Sequence, residues 1–213
     1  MTGYEPVGQG FKSLTARQQI FCRADALTFL WVRFFLLFYG GEVIVDKNII
    51  LIGMPGSGKS TVGVILAKTL GYDFVDTDLL ISKSQNMKLQ KIIDTEGLQR
   101  FLDIESSVAC GLKCTKTVVA TGGSVICRRQ SMEYLHSIGT VVYIDVRLEN
   151  LKRRIRNIKT RGIAFEQGET LTDIYEKRTP LYRKYADITI NVQDSWHIEN
   201  VVEEIIENLS LQI

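Results

Sequence analysis

Apolar residues run unbroken through Ile49, Ile50, Leu51 and Ile52, a short and mostly β-branched stretch that suits a strand covered on both faces. Beyond Thr61 the spacing changes. Val62, Ile65, Leu66 and Thr69 recur at helical intervals and Gly71 supplies a stop. The alternation of short apolar run and amphipathic stretch then continues to the end of the chain. It predicts further strands at 72–75, 117–120, 140–144 and 187–191. Helices are predicted at 79–85, 88–95, 98–114 and 148–157, through the stretch IYEKRTPLYRKYA, and at 197–209. Strands that alternate with helices imply an α/β domain with a parallel sheet.

Residues 1–44 do not share this pattern. Their apolar stretch ALTFLWVRFFLLFY is broken by Arg33 and falls short of the roughly 20 residues that span a bilayer. It starts late for a signal peptide and leads into Gly40-Gly41-Glu42 with no small-residue cleavage site. Its polar flank is not rich in lysine, so no membrane attachment is expected. The α/β domain is expected to begin at Val45, with 1–44 an extension outside it, and a valine codon could serve as the start.

At 213 residues and 45% hydrophobic composition the chain can bury one full core. Twenty-six basic residues stand against 24 acidic ones, without a long run of either sign, so nucleic acid is not an expected partner. The four cysteines, at 22, 110, 114 and 127, form no C-x-x-C pair, and His136 and His197 lie far from them, which argues against zinc. Cys110 and Cys114 are spaced to share a helix face as packing thiols of a reducing compartment, and the cytoplasm is the expected location.

Candidate chemistry is concentrated after the strands. Gly53, Met54, Pro55, Gly56, Ser57, Gly58, Lys59 and Ser60 match G-x-x-x-x-G-K-[ST] at every fixed position, with Thr61 following. In this arrangement backbone N–H groups turn inward on an anion, Lys59 reaches the β/γ-phosphates, the Ser60 hydroxyl ligates Mg²⁺, and the next helix adds its N-terminal dipole. A connection whose glycines served only the turn would need neither the lysine nor the Ser-Thr pair. Asp76 and Asp78 follow the second strand, where ligands of an open α/β sheet gather. Asp76 is placed to hold Mg²⁺ and Asp78 to accept the proton of an acceptor hydroxyl, the plainer alternative being that both cap the next helix. Gly122 and Gly123, after the third strand, would let backbone approach a ligand, or simply turn. The segment 158–170 carries glycines and little apolar periodicity, so it reads as a mobile lid. Its Arg161 could clamp the transferring phosphate, or remain a solvated arginine. Trp196 and His197 are expected to cap and pack.

Taken together, GMPGSGKST, the acids of FVDTD, the EGxxxFxxIE stretch, ATGG after the third strand, Arg153 with Asn157, Arg161 and KRTPLYRKYAD resemble the shikimate kinase family over about four-fifths of the chain. The resemblance implies a P-loop NTPase-type three-layer α/β/α fold with a five-stranded parallel sheet and a mobile lid. It implies a monomer that moves the ATP γ-phosphoryl group to a hydroxyl of a small carboxylic acid, shikimate by default, with Mg²⁺. Carried over by position, Lys59 and Arg161 stabilise phosphoryl charge, Ser60 and Asp76 serve the metal, and Asp78, Gly122 and Gly123 contact the acceptor. Arg178 pairs with the acceptor carboxylate, and Arg153 or Arg154 lies along the adenine.

This chain departs from the family pattern in three places. Leu102 follows Phe101 where the family has an arginine, Gly162 follows Arg161 in place of proline, and Ser124 stands for a third glycine. Arg100 projects elsewhere on a helix and does not replace the missing charge. Leu102 therefore raises a second possibility, an acceptor smaller than shikimate such as homoserine. A non-catalytic nucleotide-binding module is the third, opposed by the complete set Lys59, Ser60, Asp76, Asp78 and Arg161.

Overall fold

The computed structural model describes residues 47–155, 162–166, 168–193 and 197–210. The extension 1–44, Asn157, Arg161 and Trp196 lie outside the described residues. The strands are β1 (Asn48–Ile52), β2 (Asp73–Asp76), β3 (Thr117–Ala120), β4 (Gly139–Val146) and β5 (Ile188–Val192). They form one parallel sheet in the order β2-β3-β1-β4-β5. Every residue of the central β1 is buried, as its unbroken apolar run requires, whereas edge strand β5 alternates buried with exposed positions.

The helices are α1 (Lys59–Leu70), α2 (Thr77–Ser84), α3 (Leu89–Glu96), α4 (Leu98–Cys110), α5 (Arg129–Ile138), α6 (Leu148–Arg154), α7 (Leu171–Tyr185) and α8 (Ile198–Ser210). Parallel crossovers are right-handed, so the step from β1 outward to β2 and the opposite steps from β2 through to β5 send their helices to opposite faces. Accordingly α1 packs on β1, β2, β3 and α8, while α5 and α7 pack on β4 and α4 packs on α5. This is the three-layer α/β/α arrangement with its five-stranded parallel sheet. No described helix is long and apolar enough to cross a membrane.

At the amino ends of the strands, one side chain serves three of them. Asn48 Nδ2 donates to Cys114 O at 2.9 Å and to Ile138 O at 2.8 Å, and its Oδ1 accepts from Thr117 N at 3.1 Å. The starts of β1, β3 and β4 are thus joined through a single buried amide.

The structure corrects several expectations. Helix α4 ends at Cys110, where Gly111 N donates back to Ser107 O, so Cys114 lies beyond it and the two thiols share no helix face. Helix α5 was not expected: its buried side is only Ser131, Met132 and Leu135, too brief an apolar pattern to stand out. Strand β4 continues through Asp145 to Val146, and α2 begins at Thr77, immediately after Asp76.

Candidate functional site

Register sets the carboxyl ends of the central strands side by side. Leu51 and Asp76 both pair with Ala120, and Ile52 pairs with Tyr143. The segments that follow β1, β2 and β3 therefore leave the sheet along one edge, and the sequence-predicted groups come together there.

In the segment between β1 and α1, Gly53 has φ +148 and a Cβ there would stand 2.8 Å from Ile144 O, so no other residue fits against β4. Lys59 opens α1 but its side chain folds back under the loop, 7% exposed, where Nζ donates to Gly53 O at 2.8 Å and Met54 O at 3.0 Å. Burial lowers the Lys59 pKa to about 8, and the carboxylates of Asp78, Asp76 and Glu105 oppose that fall. Ser60 and Thr61 occupy the exposed first turn of α1. Gly56 and Ser57 offer their carbonyls to Arg154 Nη1, each at 3.4 Å, whereas Arg153 turns its Nη2 to Asn150 Oδ1. Of these two arginines, Arg154 is the one against the phosphate loop. A hollow beside it is lined by Gly56, Thr61, Arg154, Val192, His197 and Val201. His197 N donates to Asn200 Oδ1 at 3.0 Å, a bond at the start of α8 that fits the expected capping role.

Across the site, Asp76 Oδ1 accepts from Asp78 N at 3.0 Å and Leu79 N at 3.4 Å, capping α2. The capping alternative thus describes one oxygen of Asp76 and leaves Oδ2 without a described bond. Asp78 sits in the first turn of α2. Burial and then Asp76 raise its pKa to about 6, with Lys59 pulling the other way. Gly122 N donates to Thr77 Oγ1 at 3.0 Å, which seats the glycine turn against the same helix start. A Cβ on Gly122 would lie 2.8 Å from Asp78 Oδ1 and 2.0 Å from Glu105 Oε1, so the absence of a side chain is what admits both carboxylates.

Glu105 closes the EGxxxFxxIE stretch, but the sequence assigned it no role at the site. It lies on α4, 2% exposed, and neither oxygen has a hydrogen bond of regular geometry among the described residues, although Ser124 is close beside it. Burial lifts its pKa to about 7. Ser124 and Arg178 act against the rise and Asp78 adds to it. The available signal was an acid on the same helix face as Phe101 and Leu102.

Arg178 on α7 is buried, donating Nη1 to Gly123 O at 3.2 Å and Nη2 to Ala164 O. Tyr182, one turn further along, gives its hydroxyl proton to Gly123 O as well. Leu102 is 7% exposed among Ile81, Ile92, Phe101, Ile104 and Ala164. Arg100 points away, paired with Glu96 at 3.6 Å and with 64% of its side chain exposed, so it supplies no charge to this wall.

The raised Glu105 pKa has a measurable consequence for the ligand-free protein. A folded value of about 7 against the ordinary glutamate value of 4.5 means the folded state holds the proton more tightly than the unfolded state does. The Glu105 contribution to stability is therefore full below pH 4.5 and is lost as pH rises through 7. Glu105→Gln imitates the protonated form at every pH. It is expected to match the parent near pH 4.5 and to exceed it at pH 8 by about 3 kcal/mol at most. Urea unfolding at the two pH values checks this, and equal midpoints at pH 8 would contradict a buried, unpaired carboxylate.

A family model described as shikimate kinase matches residues 55–210. A shikimate kinase of Rippkaea orientalis is 42% identical over 169 residues, covering 78% of this chain and 89% of its own. Another from Nostoc punctiforme is 40% identical over 172 residues, covering 78% and 92%. Among solved structures, the shikimate kinase from Acinetobacter baumannii in complex with shikimate is similar with a TM-score of 0.73 and 30% identity, over 79% of this chain and 95% of that one.

Proposed function

The chain belongs to the shikimate kinase family, and on that footing we propose that it transfers the ATP γ-phosphoryl group to a hydroxyl of shikimate, giving shikimate 3-phosphate and ADP for aromatic amino acid biosynthesis. The observation that carries this reading is the meeting of Lys59, Asp78 and Arg178 around the glycine turn at one sheet edge.

Phosphates settle on the inward N–H groups of the loop from Gly53 to Ser60, with Arg154 beside them and the nucleotide's base toward the hollow it borders. Asp78 accepts the proton of the acceptor hydroxyl as its oxygen attacks the γ-phosphorus and the bond to the β,γ-bridging oxygen breaks. Lys59 neutralises charge on the phosphoryl oxygens, and Arg161 is assigned the same task from the lid. Arg178 holds the acceptor carboxylate while Gly122 and Gly123 allow the ring to approach. The Ser60 hydroxyl and the uncapped Oδ2 of Asp76 suit Mg²⁺, which when bound supplies charge neutralisation at the phosphates. A monomer in the cytoplasm suffices for this chemistry.

Shikimate-dependent ADP release, with the phosphorylated product seen by phosphorus NMR, tests the proposal. ATP turnover that shikimate does not stimulate, with no phosphorylated product, would refute it.

Leu102 bears on how well shikimate is held. It stands three residues before Glu105 on α4, so an arginine there would come beside that carboxylate and face the acceptor. Leu102→Arg is expected to raise kcat/KM for shikimate relative to homoserine by about ten- to a hundredfold, the size of one charge-assisted contact. An unchanged ratio, with shikimate already bound at low KM, would remove position 102 from acceptor selection.

A further inference from the structure

Glu105 is surrounded by groups that answer its charge only in part, since Ser124 and the Arg178 guanidinium favour the carboxylate but burial outweighs them. Its nearest neighbours on its own helix, Leu102 and Phe101, belong to an apolar cluster. Lys59 is engaged by the loop carbonyls of Gly53 and Met54, and Arg178 by those of Gly123 and Ala164. Both Glu105 oxygens are buried without a regular hydrogen bond, yet Oε1 borders the space over Gly122 that Asp78 Oδ1 also borders. A buried carboxylate whose oxygens lack hydrogen bonds and whose charge is only partly answered is costly, and a ligand that brings a cation to it reduces the cost. The hydroxyls of a neutral ring can donate hydrogen bonds to such a group but cannot balance it.

We propose that Glu105 receives the ammonium group of a zwitterionic acceptor, so that this site phosphorylates a small hydroxy amino acid as well as shikimate. The inference rests on the kinase reading given above and adds a substrate class to it. Arg178 takes the acceptor's carboxylate, Glu105 its ammonium and Asp78 the hydroxyl proton. The hydroxyl oxygen forms the new bond to the γ-phosphorus, the β,γ-bridging bond breaks, and ADP leaves with that electron pair. Leu102 contributes by keeping a competing guanidinium out.

The test compares homoserine with 4-hydroxybutyrate, which has the same hydroxyl and carboxylate but no ammonium. The full-length protein is expected to phosphorylate homoserine with kcat/KM about ten- to a hundredfold above that for 4-hydroxybutyrate, one charge-assisted contact's worth. In Glu105→Gln that ratio is expected to collapse toward one. Should the variant not fold, thermal shifts of the parent protein with ATP analogue and each acid replace it, homoserine being expected to stabilise more. A ratio near one in the parent, or a ratio that Glu105→Gln leaves intact, overturns the proposal. Shikimate turnover without homoserine turnover overturns it while sparing the kinase reading; failure of every acceptor overturns both.

Discussion

Lys59→Ala is expected to lower kcat by about three orders of magnitude or more while the protein stays folded. The loop's own carbonyls, Gly53 O and Met54 O, accept from Lys59 Nζ and hold the ammonium beneath the turn. With a pKa lowered to about 8 the group is still mostly protonated at pH 7, and approaching phosphate favours that form further. No other described cation is buried beneath this loop, since Arg154 approaches from outside it through the Gly56 and Ser57 carbonyls. Steady-state kinetics beside circular dichroism decide the matter. Turnover within tenfold of the parent would exclude Lys59 from the transition state.

Asp78→Asn separates two accounts of the same residue. If Asp78 only decorates the first turn of α2, losing its charge leaves the rate alone and, with its pKa raised to about 6, does not lower stability at neutral pH. If it takes the acceptor proton, kcat falls by about 10²- to 10⁴-fold, with nucleotide affinity retained. Calorimetric titration with an ATP analogue and initial rates give the two readouts. The rate loss is expected, because Asp78 shares the space over Gly122 with Glu105 when a purely capping acid would face solvent.

How much of this was readable beforehand depends on how far apart the participants lie in the chain. The phosphate loop was legible because strand, glycines, lysine and helix are contiguous, and each constrains the next. Gly122 and Gly123 were legible for the same reason, as a turn directly after β3. Asp76 was legible only as an alternative between cap and metal ligand, and its two oxygens allow both. Glu105 stood in the EGxxxFxxIE stretch without a role, because its surroundings are completed by the turn at Gly122 and Ser124 and by Arg178 far along the chain. No local pattern announces such an environment. The choice between Arg153 and Arg154 was likewise hidden, since it depends on where α6 stops and which side of its last turn meets the loop. Helix α5 was lost to a short apolar face, and the end of α4 to Gly111, which reads as tolerable inside a helix until Cys114 is needed elsewhere.

The amide of Asn48 lies at the opposite end of the sheet from all this chemistry. By joining the beginnings of three parallel strands it indexes them against one another, much as a shared origin fixes parallel rulers. A strand rises about 3.3 Å per residue, so four or five residues carry that alignment roughly 13–17 Å to the edge where the loop of Lys59 and the glycine turn emerge. The spacing of the reacting groups is thereby set from a point that no substrate touches. Damage there would reach catalysis as misalignment, with every catalytic side chain still present.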